Sequence, residues 1–135
     1  GTAICFEATR PDHLRGLKNG GASVFVQISN ELWFGPTSAA RQMMAAAIFR
    51  AAENNVEMIR ATNSGLSALI DRHGVVHDDT PMMETATRVW KMETAAREAT
   101  LYTRWGDWFA ITAATLTLVL LAATFVPERR EETKR

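Results

Sequence analysis

Short apolar runs and helix-favouring stretches alternate along the first 77 residues of the chain. Runs rich in Val, Ile and Phe are typical of β-strands, and stretches that begin at Pro or Thr and end near Gly or Asn are typical of α-helices. The strands are predicted at residues 2–6, 22–28, 56–61, 66–70 and 75–77, and the helices at residues 11–18 and 37–53. This order favours an α/β layered domain over a helical bundle or an all-β sandwich.

Two further predictions concern residues 22–28 and residues 85–94. Residues 22–28 contain almost no polar interruption, which predicts a strand covered on both faces, as in a sheet flanked by helices. Residues 85–94 predict a further strand, although the Ala and Glu content up to Ala99 leaves a helix as the alternative.

The longest apolar run, residues 108–126, has 19 positions without a charge. At about 1.5 Å rise per residue this length suffices to cross the hydrocarbon core of a bilayer, so the run predicts a transmembrane helix; a buried core helix is the alternative. Trp105 and Trp108 stand where an interfacial aromatic belt is expected, and Pro127 closes the predicted helix.

Three regions follow from this pattern. Residues 1–103 are predicted to form the α/β domain, residues 104–127 the membrane helix with its aromatic entry, and residues 128–135 a charged tail. The tail carries four basic residues in eight positions, which favours a cytoplasmic tail and a periplasmic α/β domain.

Composition narrows the possible functions. The 135 residues fit one domain, and 15 basic against 15 acidic side chains give zero formal net charge, which argues against a nucleic-acid partner. The single cysteine, Cys5, excludes an internal disulfide and a multi-cysteine metal site, and the three histidines lack metal-ligand spacing. We therefore expect neither a metal nor a cofactor. The chain begins at Gly1 without an initiator Met, so we expect it to be the C-terminal piece of a longer protein.

Cys5 is the candidate for chemistry. It ends a predicted buried strand, where a thiol can stand above the edge of a sheet beside a backbone N–H that can hold an oxyanion. An inert core cysteine is the alternative. Trp33 and Phe34 lie in the loop after the next predicted strand, and they either pack this loop onto the domain or line a site for an apolar substrate.

Four polar residues are predicted to have structural roles. Asn30 and Asn63 are expected to fix loops, because Asn side chains bond readily to nearby backbone groups. Arg60 and Glu53 are expected to form a buried or half-buried pair.

Five ordered blocks of sequence resemble the C-terminal part of the bacterial apolipoprotein N-acyltransferase family. They are residues 4–7 (ICFE), 28–35 (ISNELWFG), 50–54 (RAAEN), 60–67 (RATNSGLS) and 102–109 (YTRWGDWF), followed by the last apolar run. The five blocks in this order are far more specific than a Cys-aromatic-Glu triplet alone. The resemblance implies the C-terminal part of a nitrilase-type (carbon-nitrogen hydrolase) α-β-β-α sandwich with a Glu-Lys-Cys triad, followed by one transmembrane helix.

The resemblance also implies residue roles. Cys5 is the nucleophile, the backbone N–H of Phe6 helps to hold the oxyanion, and Glu7 supports the site. Trp33 and Phe34 line the acyl chains. The triad's Glu and Lys lie upstream in the family, so this chain alone is expected to be inactive, because a thiol with a pKa near ~8.5 needs a base or a cation for activation.

The function implied by the resemblance is lipoprotein maturation at the bacterial inner membrane. A fatty acyl chain moves from a phospholipid to Cys5 as a thioester, and then to the N-terminal diacylglyceryl-cysteine of an apolipoprotein. The expected partners are the phospholipid donor, the apolipoprotein acceptor and the lipid bilayer. A membrane-tethered hydrolase of the amidase or nitrilase type and a non-catalytic membrane-anchored interaction module are the alternatives.

Overall fold

Five strands form one mixed sheet whose order follows the chain, β1-β2-β3-β4-β5. The computed structural model describes residues 1–95 and 97–125. The strands are β1 (Thr2–Ile4), β2 (Val24–Ser29), β3 (Glu57–Thr62), β4 (Ala68–Ile70) and β5 (Val76–His77), and the helices are α1 (Pro11–Asn19), α2 (Ala39–Asn54), α3 (Leu101–Trp105) and α4 (Trp108–Thr124). Two 3-10 turns, Cys5–Thr9 and Leu32–Phe34, follow β1 and β2. The predicted α/β class is confirmed.

Helices α1 and α2 connect the parallel strands. β1 pairs in parallel with β2, and β2 with β3, and such pairs require a crossover connection rather than a hairpin. α1 begins at Pro11. Proline suits the first helical position, because a backbone N–H there would have no partner within the helix. α2 ends at Asn54, and the left-handed backbone of the next residue, Asn55 (φ 53°), stops the helix.

Both helices pack against the same face of the sheet. Their buried residues meet those of the strands and of the first 3-10 turn in one core, formed by Ala3, Ala8, Leu14, Phe25, Met44, Ala47, Ala51, Val56, Met58, Ala68 and Ile70. The described part of the chain is therefore a helical layer on one side of a sheet.

The second face of β2 does not match the prediction from residues 22–28. Phe25 is fully buried, but Val26 is only partly buried and Ile28 is 47% exposed. The expectation of a strand covered on both faces is wrong within the described residues, because both crossover helices lie on one side.

The segment 85–94 is neither the predicted strand nor a helix. Side chains of the layered domain bond to one backbone group of this irregular segment and to two backbone groups of residues 97–98, which follow it. The Glu93 N–H donates to Glu57 Oε2 over 2.9 Å, Lys18 Nζ donates to the Arg97 carbonyl over 3.0 Å, and Asn55 Nδ2 donates to the Glu98 carbonyl over 3.3 Å. Side chains thus satisfy backbone groups that a ladder would otherwise pair.

Helix α4 begins at Trp108, where the long apolar run begins, and ends at Thr124. None of its residues is buried. No helix in residues 1–95 and 97–125 combines the length and the apolar character needed to cross a membrane. Pro127 and the predicted tail, residues 128–135, lie outside the described residues.

Candidate active site

Cys5 stands at the carboxyl end of β1, as the first residue of the turn Cys5–Thr9. Its backbone is left-handed, with φ 52°, a conformation that costs a residue with a Cβ about 1–2 kcal/mol. Such strain persists only where surrounding bonds hold it, and it concentrates at functional sites. The predicted strand 2–6 ends two residues early for this reason.

The carboxyl ends of the three parallel strands border an open cavity of about 410 Å³. Ile4, Ile28 and Ala61 share one register row and line it, together with Asn30 and Asn63. The cavity therefore begins at the residue that precedes Cys5.

Glu7 clamps the turn that carries Cys5. Its Oε2 accepts the Ile4 N–H over 2.7 Å, so the carboxylate reaches back to the residue before the cysteine. His13 Nε2 lies 3.6 Å from the same oxygen. Glu7 can thus act by holding the turn.

Phe6 and Phe34 come together although 28 positions separate them in the sequence. Their ring centroids lie 6.1 Å apart in an edge-to-face contact, and Phe34 makes a similar contact with Trp33 at 6.3 Å. Phe6, Phe34 and Met43 border a second cavity of about 400 Å³. Trp33 itself is 70% exposed, so it packs against little of the described chain.

A buried polar cluster lies behind Cys5. Arg60 donates from Nη1 to Gln27 Oε1 over 2.7 Å, from Nε to the Leu66 carbonyl over 3.0 Å, and from Nη2 to Glu31 Oε1. Gln27 Nε2 donates to the Cys5 carbonyl over 3.2 Å. Burial lowers the pKa of the Arg60 guanidinium, and the Glu31 carboxylate partly opposes that decrease.

The expected pair of Arg60 with Glu53 is wrong. Glu53 accepts from Arg50 Nη2 over 2.7 Å, one helical turn away on α2, and Arg60 pairs with Glu31. The sequence pattern does not predict the role of Gln27. A single amide in an otherwise apolar strand was the available signal.

Asn30 and Asn63 join the loops that follow β2 and β3. Asn63 Nδ2 donates to Asn30 Oδ1 over 2.8 Å, and Asn63 Oδ1 accepts the Glu31 N–H over 3.0 Å. The loop that carries Glu31, Trp33 and Phe34 is therefore tied to the turn after β3.

The described residues contain no group of three or more His, Cys, Asp or Glu side chains that could hold a metal ion. The absence of a metal or cofactor from the function stays a prediction.

These features define a class of α/β protein that presents one thiol at the carboxyl edge of parallel strands, on a strained turn beside apolar cavities. The sequence model of the family described as "Carbon-nitrogen hydrolase" matches residues 1–100, and the chain belongs to this family.

Curated relatives carry the name apolipoprotein N-acyltransferase. The relative from Geobacter metallireducens is 34% identical over 93% of this chain and 24% of its own length. The relative numbered 2 from Treponema denticola is 33% identical over 98% of this chain and 25% of its own length, and that from Gloeobacter violaceus is 35% identical over 94% and 24%. The chain thus spans about a quarter of the length of these relatives, and the resemblance carried by the five sequence blocks is confirmed.

Proposed function

We propose that this chain is the C-terminal part of a membrane-bound N-acyltransferase that matures bacterial lipoproteins. The names of the relatives support this reaction. The observation that carries it is the strained position of Cys5 at the carboxyl edge of the sheet, next to an aromatic group that borders an apolar cavity.

The reaction has two halves. The Cys5 thiolate attacks an ester carbonyl of a phospholipid, the C–O bond breaks, and the lysophospholipid leaves with a proton. The amino group of the acceptor's diacylglyceryl-cysteine then attacks the thioester, the C–S bond breaks, and the thiolate returns while the amine loses its proton. The general base and the cation for these steps are the Glu and Lys that the family carries upstream, which is why we expect the described chain to need the rest of the protein.

Residues near Cys5 have proposed roles in this scheme. The backbone N–H of Phe6 helps to hold the oxyanion, and Glu7 keeps the turn in place through its bond to the Ile4 N–H. Trp33 and Phe34 contribute apolar surface for the acyl chain, and the contact between Phe34 and Phe6 brings that surface to the reacting residue.

The 17 residues of α4 do not by themselves meet the length needed to cross a membrane, but the uncharged run of residues 108–126 is longer than this helix. On the strength of that run we propose that residues 104–127 cross the inner membrane, with the α/β domain in the periplasm and residues 128–135 in the cytoplasm. The threonines of α4 favour contact with lipid, because Thr112, Thr115 and Thr117 donate their hydroxyls to carbonyls of their own helix over 2.7 to 2.8 Å. Trp105 and Trp108 are in edge-to-face contact at 6.1 Å, as suits an interfacial belt.

The test is mass spectrometry of the natural protein that contains this chain, after incubation with a phospholipid and without an acceptor. We expect a fatty-acyl mass on the Cys5 peptide that hydroxylamine removes, and no such mass in Cys5→Ser. An unmodified Cys5 in folded protein would contradict the proposal.

The family description also favours a second candidate, a hydrolase in which water takes the acyl group. Addition of a diacylglyceryl-cysteine peptide separates the two, because only the acyltransferase forms the N-acyl peptide. Cys5→Ser that leaves lipoprotein maturation unchanged would instead indicate a non-catalytic module.

A further inference from the structure

A row of buried side chains crosses the sheet behind Cys5. The register places Ala3 of β1 beside Gln27 of β2, Gln27 beside Arg60 of β3, and Arg60 beside Ala68 of β4. All four residues are fully buried. The two alanines leave room for the two long polar side chains, so the sequence accommodates a guanidinium where strands usually carry Val or Ile.

Filling the core with these polar side chains costs free energy of desolvation. A buried ion pair must offset the desolvation of both charges, and replacement by apolar residues of similar volume is often neutral or stabilising. Arg60 and Glu31 are both almost inaccessible to solvent. Packing alone therefore does not account for the cluster.

The Gln27 side chain can link Arg60 to Cys5 in one orientation of its amide only. Because a guanidinium only donates, Gln27 must turn its Oε1 toward Arg60, which leaves Nε2 to donate to a carbonyl. That carbonyl belongs to Cys5, 3.2 Å away. Glu in this place would lack the donor, and Lys would lack the acceptor.

The Cys5 carbonyl belongs to the residue whose strained backbone must be held by surrounding bonds. Cys5 has the left-handed backbone described above, and its preceding residue is held by Glu7 through the Ile4 N–H. Gln27 holds Cys5 from the other side, through its hydrogen bond to the Cys5 carbonyl. The strained position thus has one bond from the turn and one from the sheet.

The connection continues from Arg60 to the loop that carries Trp33 and Phe34. Arg60 Nη2 donates to Glu31, and Glu31 directly precedes the turn Leu32–Phe34. The same buried side chains thus link the position of the thiol to the position of the aromatic loop.

We propose that Gln27 and Arg60 are positioning residues for Cys5, and that Glu31 fixes the aromatic loop relative to the thiol through them. The catalytic part of this inference rests on the proposed function. The geometric part concerns the reactivity of the Cys5 thiol and needs no substrate.

The test uses the natural protein that contains this chain, with two substitutions at one position. Gln27→Glu keeps the acceptor for Arg60 and removes the donor to Cys5. Gln27→Asn keeps the amide without adding charge, but its shorter side chain cannot span both partners. Thr103→Val is the matched control, because Thr103 is equally buried and hydrogen-bonded, to Asn54 Oδ1 at 3.2 Å, with no bond to the cluster.

Two rates are measured by mass spectrometry of the Cys5 peptide: alkylation by iodoacetamide and formation of the phospholipid-derived thioester. We expect both rates to fall on the order of tenfold in either Gln27 variant, the size of effect that one lost hydrogen bond produces, with an unchanged KM for phospholipid. The control is expected to lose thermal stability and keep both rates.

The possible outcomes separate the two proposals. Unchanged rates in a folded Gln27 variant, together with an inactive Cys5→Ser, would refute the positioning role and leave the acyltransferase standing. An active Cys5→Ser would refute the acyltransferase, and iodoacetamide alkylation of the Gln27 variants would still decide the positioning role. If Gln27→Glu does not fold, Gln27→Asn decides the question.

Discussion

Among the glycines of the described chain, Gly65 is the one at which an added Cβ is expected to lower the free energy of unfolding most. It lies in the turn between β3 and β4, against the buried carboxylate of Glu31. An ideal Cβ built on Gly65 would stand 1.9 Å from Glu31 Oε2, 2.9 Å from its Cδ and 3.2 Å from Thr62 Oγ1. In Gly65→Ala the Glu31 side chain must therefore move by more than 1 Å, since a Cβ does not approach another heavy atom closer than 3.0 Å.

Glu31 has little freedom to move. Its side chain is 1% exposed, its carboxylate is bound to Arg60, and its backbone N–H is bound to Asn63. Displacement of the carboxylate separates a buried ion pair, and loss of one partner of such a pair costs about 3–5 kcal/mol. We expect Gly65→Ala to lower the free energy of unfolding by that amount, a large part of the ~5–15 kcal/mol typical of a domain.

Gly16→Ala provides the matched control. Gly16 lies in α1, and nothing stands within 4 Å of its ideal Cβ. The same substitution there should raise the free energy of unfolding by about 0.5–1 kcal/mol, because Ala loses less backbone entropy in a helix. Denaturant unfolding of the natural protein, followed by a signal from this domain, measures both changes. A Gly65→Ala variant within about 0.5 kcal/mol of the parent would refute the reasoning.

Three further predictions concern single residues. Cys5→Gly should be about 1 kcal/mol more stable than Cys5→Ala in thermal unfolding, because glycine adopts the left-handed backbone without strain; equal stability would contradict this. Phe34→Ala should raise the KM for phospholipid in thioester formation, by removing apolar surface beside Phe6; an unchanged KM would exclude Phe34 from the acyl site. Burial raises the pKa of the Asp71 carboxyl, but hydrogen bonds from His77, Val75 and His73 outweigh this and leave its pKa below the usual value. Its contribution to stability is therefore present above about pH 3.9 and lost as the pH falls through the folded-state pKa, so unfolding of Asp71→Asn should depend less on pH in acid.

The α/β alternation could be predicted because local signals mark it. Pro11 at a helix start, and Gly74 with φ 83° in the hairpin turn, act within a few residues of their own position. The sequence predicts the end of β1 two residues late, because apolar periodicity carries no trace of the left-handed turn at Cys5, which the Glu7 carboxylate holds through the Ile4 N–H.

The residues of the candidate site likewise divide into those that a local sequence pattern predicts and those that it does not. Cys5, Phe6 and Glu7 are consecutive, so one sequence block predicts them together. The link from Gln27 to Arg60 depends on the register of two parallel strands whose bonded residues are 33 positions apart, and no local pattern sets that register. The sequence also predicts the wrong partner for Arg60, because Glu31 lies in the loop after β2 and meets Arg60 only in the folded chain.

The segment 85–94 shows a further limit of sequence patterns. Its composition allows a strand or a helix, and the structure contains neither. The bond from the Glu93 N–H to Glu57 Oε2 ties this segment to β3, and such a contact depends on the fold as a whole.

The chain order of the strands has a consequence for biosynthesis. In the described part of the chain every strand pairs with the strand made just before it, so a chain that leaves the ribosome from its N-terminus finds each pairing edge already synthesised. No later strand has to insert between two that are already paired. The 27 residues between β2 and β3, residues 30–56, must be made before β3 can join β2, and at about 5–20 residues per second this takes about 1–5 s. That delay is the period in which the newly made edge of β2 is most open to pairing with another nascent chain.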